Sequence, residues 1–113
     1  MNYAELQAKI IAQSHRKDMA SRVPGFIDDA RTMLNYRLSL ELAPFTADTD
    51  TNDILDENPL LYFYPAMKAL YEFIFEFETA NYFDGQYQQQ VSAYYTTRAG
   101  TEPLSITPEI PAP

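Results

Sequence analysis

"PLLYFYPAMKALYEFIFEF", Pro59 to Phe77, carries Tyr or Phe at seven positions and only three charges, Lys68, Glu72 and Glu76. It is long enough to cross a bilayer, but the three charges and the central Pro65 argue against a membrane span. Leu60, Phe63, Met67, Leu70, Ile74 and Phe77 are spaced three, four, three, four and three apart, an apolar seam at helical period. The competing signal is "EFIFEFE", Glu72 to Glu78, which alternates like a half-buried strand. The seam covers about five turns at 3.6 residues per turn and the alternation only its end. A helix is therefore expected from Asn58 and Pro59, as cap and first-turn residue, through Phe77, with Pro65 bending it or tightening its first turn.

Helical signals continue on both sides. Asn2 caps a first helix to about Ser14, with Glu5 as its capping-box partner and Tyr3, Leu6 and Ile10 at helical spacing. "SHRKDMASRVP" follows, with Asp18 as a candidate cap of a short turn ending near Val23. Pro24 opens a second helix to about Leu40, whose broad apolar face is Phe26, Ile27, Ala30, Met33, Leu34 and Leu38. From Glu41 to Asn58 the periodicity stops, and the Thr/Asp alternation is that of a solvated loop, with room for a helical turn over Asp53 to Glu57. A fourth helix is expected from Thr79 to about Thr97, with Phe83, Tyr87, Val91 and Tyr94 on one face and Gly85 weakening its first turns.

From residue 98 the chain is rich in proline, at 103, 108, 111 and 113, which opposes helix and favours an extended arm of roughly 50 Å at about 3.1 Å per residue. The expected fold class is all-α: a small bundle of about four helices over residues 1–97, with a loop over 41–58, and an extended proline-rich C-terminal tail over 98–113.

Composition narrows function. A 113-residue chain builds one modest core, not two, and a large enclosed active site is not expected. Sixteen acidic residues against eight basic ones give a net charge of -8, which disfavours unaided binding to nucleic-acid phosphates. With no cysteine there is no disulfide, thiolate metal site or thiol nucleophile, a composition suited to a reducing cytoplasm. The start, "MNYAELQAKII", lacks a basic segment followed by an apolar run, so export by a signal peptide is not expected.

Catalytic and metal readings are weak. His15, the single histidine, is the best candidate for acid–base work at neutral pH, but no nucleophile constellation stands beside it in the sequence. Asp48, Asp50 and Asn52 fall at the first, third and fifth positions of an EF-hand loop, yet Asp53 replaces the required glycine and Pro59 the bidentate glutamate. Paired acids such as Asp28 and Asp29, or Glu76 and Glu78, read as solvated faces in so acidic a chain. The three glycines are scattered and form no phosphate loop. No enzymatic activity, metal or cofactor is expected.

What remains is the aromatic surplus. Tyr62, Tyr64, Tyr71, Phe73 and Phe75 lie outside the seam of the Pro59–Phe77 helix, so apolar groups cover most of its circumference. One neighbouring helix cannot cover that much. These five are candidates for contact with another subunit, unless companion helices of the same chain wrap them.

Three stretches resemble, in order and spacing, the head-to-tail adaptor or connector proteins of tailed bacteriophages: "HRKDMASRVPGFIDDARTMLN" from His15, "TNDILDENPLLYFYPAMKALYEF" from Thr51 and "ETANYFDGQYQQQV" from Glu78. Asp18, Met19, Val23, Pro24, Phe26 and Ile27 occupy the first motif of that family, Thr51, Asn52, Leu61, Tyr62 and Tyr64 the second, and Phe83, Tyr87 and Gln88 the third. The chain departs from the family at Pro65, at Asp53 and in its short middle segment. The resemblance implies a structural virion protein of the neck, assembled in the host cytoplasm. It implies a homo-oligomeric ring, commonly twelve-fold, beneath the portal protein and above tail or nozzle proteins, with DNA passing through its channel without specific binding. It implies neither catalysis nor a membrane. In such a particle the tail would lie on a neighbour or the portal, with Pro103, Leu104, Ile106, Pro108 and Ile110 as its contacts. A different class of function, a small acidic helical module that binds a protein as an inhibitor or DNA mimic, fits the composition as well.

Overall fold

The computed structural model describes residues 1–101, and these form five α-helices and one 3-10 turn, with no strand among the described residues. The elements are α1 (Tyr3–Ser14), the 3-10 turn (Lys17–Arg22), α2 (Val23–Leu38), α3 (Asp53–Glu57), α4 (Leu60–Phe73) and α5 (Phe77–Thr101). The fold is all-α, as the periodicity requires. Tail residues Pro103, Leu104, Ile106, Pro108 and Ile110 lie outside the described residues.

The capping box of α1 forms as its sequence dictates: Glu5 N donates to Asn2 Oδ1 at 2.9 Å, and Asn2 N to Glu5 Oε1 at 2.8 Å. A helix start leaves further amides without partners, and here the following loop supplies them. Tyr3 N donates to the Asp50 carbonyl at 2.8 Å and Ala4 N to the Asp48 carbonyl at 3.0 Å. The Thr/Asp segment is thus docked on α1 rather than simply solvated. Its shape is held by the Asp50 carboxylate, which accepts from the amides of Thr46 at 2.7 Å and Ala47 at 2.9 Å.

Those two backbone donors hold the Asp50 carboxyl below the usual aspartate range. A depressed folded value means that the stabilisation is complete above the ordinary pKa of about 3.9 and is lost as pH falls through the lower folded value. Carboxyl NMR titration is expected to place Asp50 below its unfolded value, with hydrogen-exchange protection of the Tyr3 and Ala4 amides lost over the same pH interval. An ordinary Asp50 midpoint would remove the clip from the account.

Two of the three loop side chains that resemble an EF-hand, Asp50 and Asn52, are otherwise engaged. Asn52 caps α3 by accepting from Leu55 N at 2.9 Å and donates through Nδ2 to the Tyr62 hydroxyl at 3.0 Å. No group of three or more metal-ligating side chains occurs among the described residues.

The core is organised around α4. Leu61, Tyr62, Phe63, Ala66, Met67 and Leu70 are buried between α2, which contributes Val23, Phe26, Ile27, Ala30, Leu34 and Leu38, and α5, which contributes Tyr87 and Val91. Leu6 and Ile10 of α1 and Ile54 and Leu55 of α3 complete it. Two helices of the same chain therefore cover the broad apolar surface of α4. The helix continues through Pro65, whose ring is buried and whose missing N–H leaves the Leu61 carbonyl without its intrahelical donor.

The far end of α4 departs from the expectation. The helix stops at Phe73, four residues before the seam ends, and "EFIFEFE" becomes neither a continued helix nor a strand. Ile74 is the half-buried C-cap, Phe75 takes a left-handed conformation at φ 63°, and Phe77 opens α5 with 56% of its surface exposed. Glu76 N donates to the Tyr71 carbonyl at 2.9 Å and Phe75 N to the Glu72 carbonyl at 3.1 Å, the paired bonds of a Schellman ending. By turning there, the chain lays α5 back along α4 and covers aromatic surface that a straight helix would leave bare. The fourth long helix begins two residues earlier than expected and extends to Thr101.

Two buried tyrosines of this core differ in one respect. The Tyr62 hydroxyl is bonded to Asn52, whereas the buried Tyr87 hydroxyl has no hydrogen-bond partner among the described residues and burial raises its pKa. An unpaired buried hydroxyl costs about 1–3 kcal/mol. Tyr87→Phe is expected to raise the unfolding free energy by about 1 kcal/mol in a urea titration, and a loss of stability would reveal a partner for that hydroxyl.

Candidate interaction surface

The five aromatic residues singled out by sequence separate into three environments. Tyr62 is fully buried and belongs to the core, so it has no surface to offer a neighbour. Tyr64 and Tyr71 are half-buried against α5: the Tyr71 ring stacks on Phe83 with centroids 5.7 Å apart and planes at 11°, and Tyr64 lies 6.1 Å from the same ring. Phe73 and Phe75 are exposed, by 44% and 79%.

Phe73, Phe75 and Phe77 together form the elbow between α4 and α5. Phe73 is anchored on one side, its ring 5.8 Å from Phe26 and beneath the Arg22 guanidinium at 4.5 Å. Phe75 and Phe77 meet edge to face at 6.1 Å and point outward. The left-handed position that ends α4 is normally given to glycine, because a Cβ there is strained by about 1–2 kcal/mol. Here it holds a phenylalanine that is 79% exposed and whose ring contact is with the likewise exposed Phe77, so the fold gains little from it.

The rim of the elbow is acidic. Glu72 lies 3.9 Å from Lys68, while Glu76 and Glu78 make no ion pair among the described residues. The result is a pair of projecting rings edged with carboxylates, a shape suited to an apolar notch with a cationic border. Sequence reasoning counted Phe77 in the buried seam and passed over Tyr36 and Tyr82, which are 89% and 61% exposed. The Glu residues interleaved with Phe73, Phe75 and Phe77 were the available signal, since burying every ring would draw neighbouring carboxylates out of water.

A second surface lies at the end of α1. His15 closes that helix in a left-handed conformation and is exposed. With Ala8, Ile11, Ala12, Lys17 and Asp18 it borders an open groove beside the 3-10 turn. The Ser14 hydroxyl next to it is committed, donating to the Ile11 carbonyl at 3.2 Å and accepting from Arg16 N at 3.3 Å. Arg16 grips Asp18 through two bonds of 3.0 and 2.8 Å, which hold the Asp18 carboxyl below its usual range. Lys17 makes no ion pair among the described residues and remains the free cation of the groove.

Several residues of the three quoted stretches hold the fold itself. Val23, Phe26 and Ile27 are core residues of α2, and Leu61 and Tyr62 are core residues of α4. Asn52 joins α3 to Tyr62, Tyr87 is buried, and Phe83 receives Tyr71. No helix among the described residues is long and apolar enough to cross a membrane. What fold and surface define is a small all-helical protein with an exposed aromatic elbow. No family model, curated protein or solved structure matches the chain.

Proposed function

We propose that the chain is a head-to-tail adaptor of a tailed bacteriophage, a structural subunit that assembles as a ring beneath the portal and leaves a channel for DNA. The resemblance of the three stretches supplies the reading. The structural observation that carries it is the Phe73–Phe75–Phe77 elbow: apolar rings held outward on an otherwise acidic body are what a subunit needs for a neighbour, not for its own core. The net charge of -8 supports the same reading, because an acidic channel wall repels DNA phosphates and lets the duplex pass. The proline-rich tail beyond Thr101, where α5 ends, serves as the arm toward a neighbour or the portal, and tail or nozzle proteins meet the opposite face.

The test is to mix the purified full chain with the portal protein of the same phage, then examine the mixture by sedimentation and electron microscopy. Co-sedimentation and a ring added to the portal are expected. A chain that stays monomeric and never co-sediments overturns the reading, and tight binding of that monomer to a host enzyme would favour an inhibitor or DNA mimic instead.

A further inference from the structure

The adaptor reading requires a contact that repeats from copy to copy, and the described residues contain two unlike surfaces that complement each other. One is the elbow, with Phe75 and Phe77 projecting and the unpaired carboxylates of Glu76 and Glu78 beside them. The other is the α1 groove, whose wall is Ala8, Ile11 and Ala12 and whose free charge is Lys17. Ala8 and Ala12 are one helical turn apart, so their small side chains leave a notch at the spacing of an aromatic ring. Both surfaces are open in the single chain; the bond to Asp18 raises the Arg16 guanidinium pKa, and the Glu76 charge acts in the same direction.

We infer that the α4–α5 elbow of one copy seats in the α1 groove of a second copy, Phe75 and Phe77 against Ala8, Ile11 and Ala12, with Glu76 facing Lys17. The occupant is a second copy because each surface supplies what the other lacks: rings for the notch and carboxylates for the cation. Joining two different surfaces is a heterologous contact, which leaves an elbow and a groove free at each end and closes into a ring when the rotation permits. The inference rests on the ring reading for that closure and names the contact that builds it. It also gives a use for the strained Phe75, which the isolated fold does not need.

The chain has no cysteine, so single cysteines report without background. Full-length Ala12→Cys and Glu76→Cys variants are mixed in equal amounts, alone at high concentration and with portal, and oxidised gently. A disulfide joining the two different variants is expected to exceed either homodisulfide several-fold. In parallel, Lys17→Glu and Glu76→Lys are each expected to weaken assembly several-fold, and the double variant to recover most of the loss. Homodisulfides only, no disulfide in either sample, or a double variant no better than the singles overturns the contact. A ring that forms on the portal without the mixed disulfide leaves the adaptor reading standing and removes this contact. The mixed disulfide without portal binding does the reverse.

Discussion

Tyr62→Ala is expected to lower the unfolding free energy by roughly 3–5 kcal/mol, the range for deleting a buried aromatic side chain. Against a typical total of about 5–15 kcal/mol this is the largest single loss expected in the chain. The reason is where the ring sits. It packs 5.3 Å from Phe45, which in turn lies 5.1 Å from Tyr3, and its hydroxyl accepts from Asn52. One side chain of α4 thereby fastens the loop, the start of α1 and the cap of α3. Truncation should release more than a local void: hydrogen-exchange protection of the Tyr3 and Ala4 amides, which donate to the loop, should fall with it. Tyr62→Phe keeps the ring and removes only the Asn52 bond, so about 1 kcal/mol is expected. Chemical denaturation of the two variants separates packing from hydrogen bonding. Equal small losses would mean that Tyr62 is not the fastening point.

That role was only partly legible in the sequence. Helix starts were readable, because Asn2 with Glu5 and Asn52 ahead of Asp53 are local signals whose bonds close within a few residues. The core face of α2 was readable for the same reason, since periodicity is a local property. Helix ends were not. Three helices, α1, α2 and α4, finish on residues with positive φ, His15, Ser39 and Phe75, and none is glycine, while Gly25 and Gly85 lie inside helices. The usual stop signal is thus missing where the chain turns and present where it does not.

The candidate surface suffered from this directly. An aromatic surplus is visible, but whether Phe77 faces the core or solvent depends on where α4 stops, and whether Tyr62 packs within the chain or against a neighbour depends on Phe45 and Asn52, which lie outside its helix. Long-range pairings such as Arg37 with Gln88 or Asn58 with Gln90 decide which faces meet, and no local pattern encodes them.

Phe75→Gly is expected to move stability and assembly in opposite directions. Glycine removes the Cβ strain of the left-handed position, about 1–2 kcal/mol, and loses about 0.5–1 kcal/mol through the added freedom of the unfolded chain. The 79% exposed ring gives up little burial on removal, so the single chain should be as stable as before or more stable by up to about 1 kcal/mol. Assembly should fall by roughly tenfold or more, because a projecting aromatic at an interface centre is commonly worth about 2 kcal/mol or more to binding. The opposition is what makes the variant informative. A surface substitution that weakens assembly by damaging the fold lowers both quantities together, whereas a residue kept in a strained position for a partner gives up one for the other. Thermal unfolding of the isolated chain beside sedimentation with portal measures both. A less stable variant would place the Phe75 ring inside the fold's own packing, and unchanged assembly would leave its strain without a use.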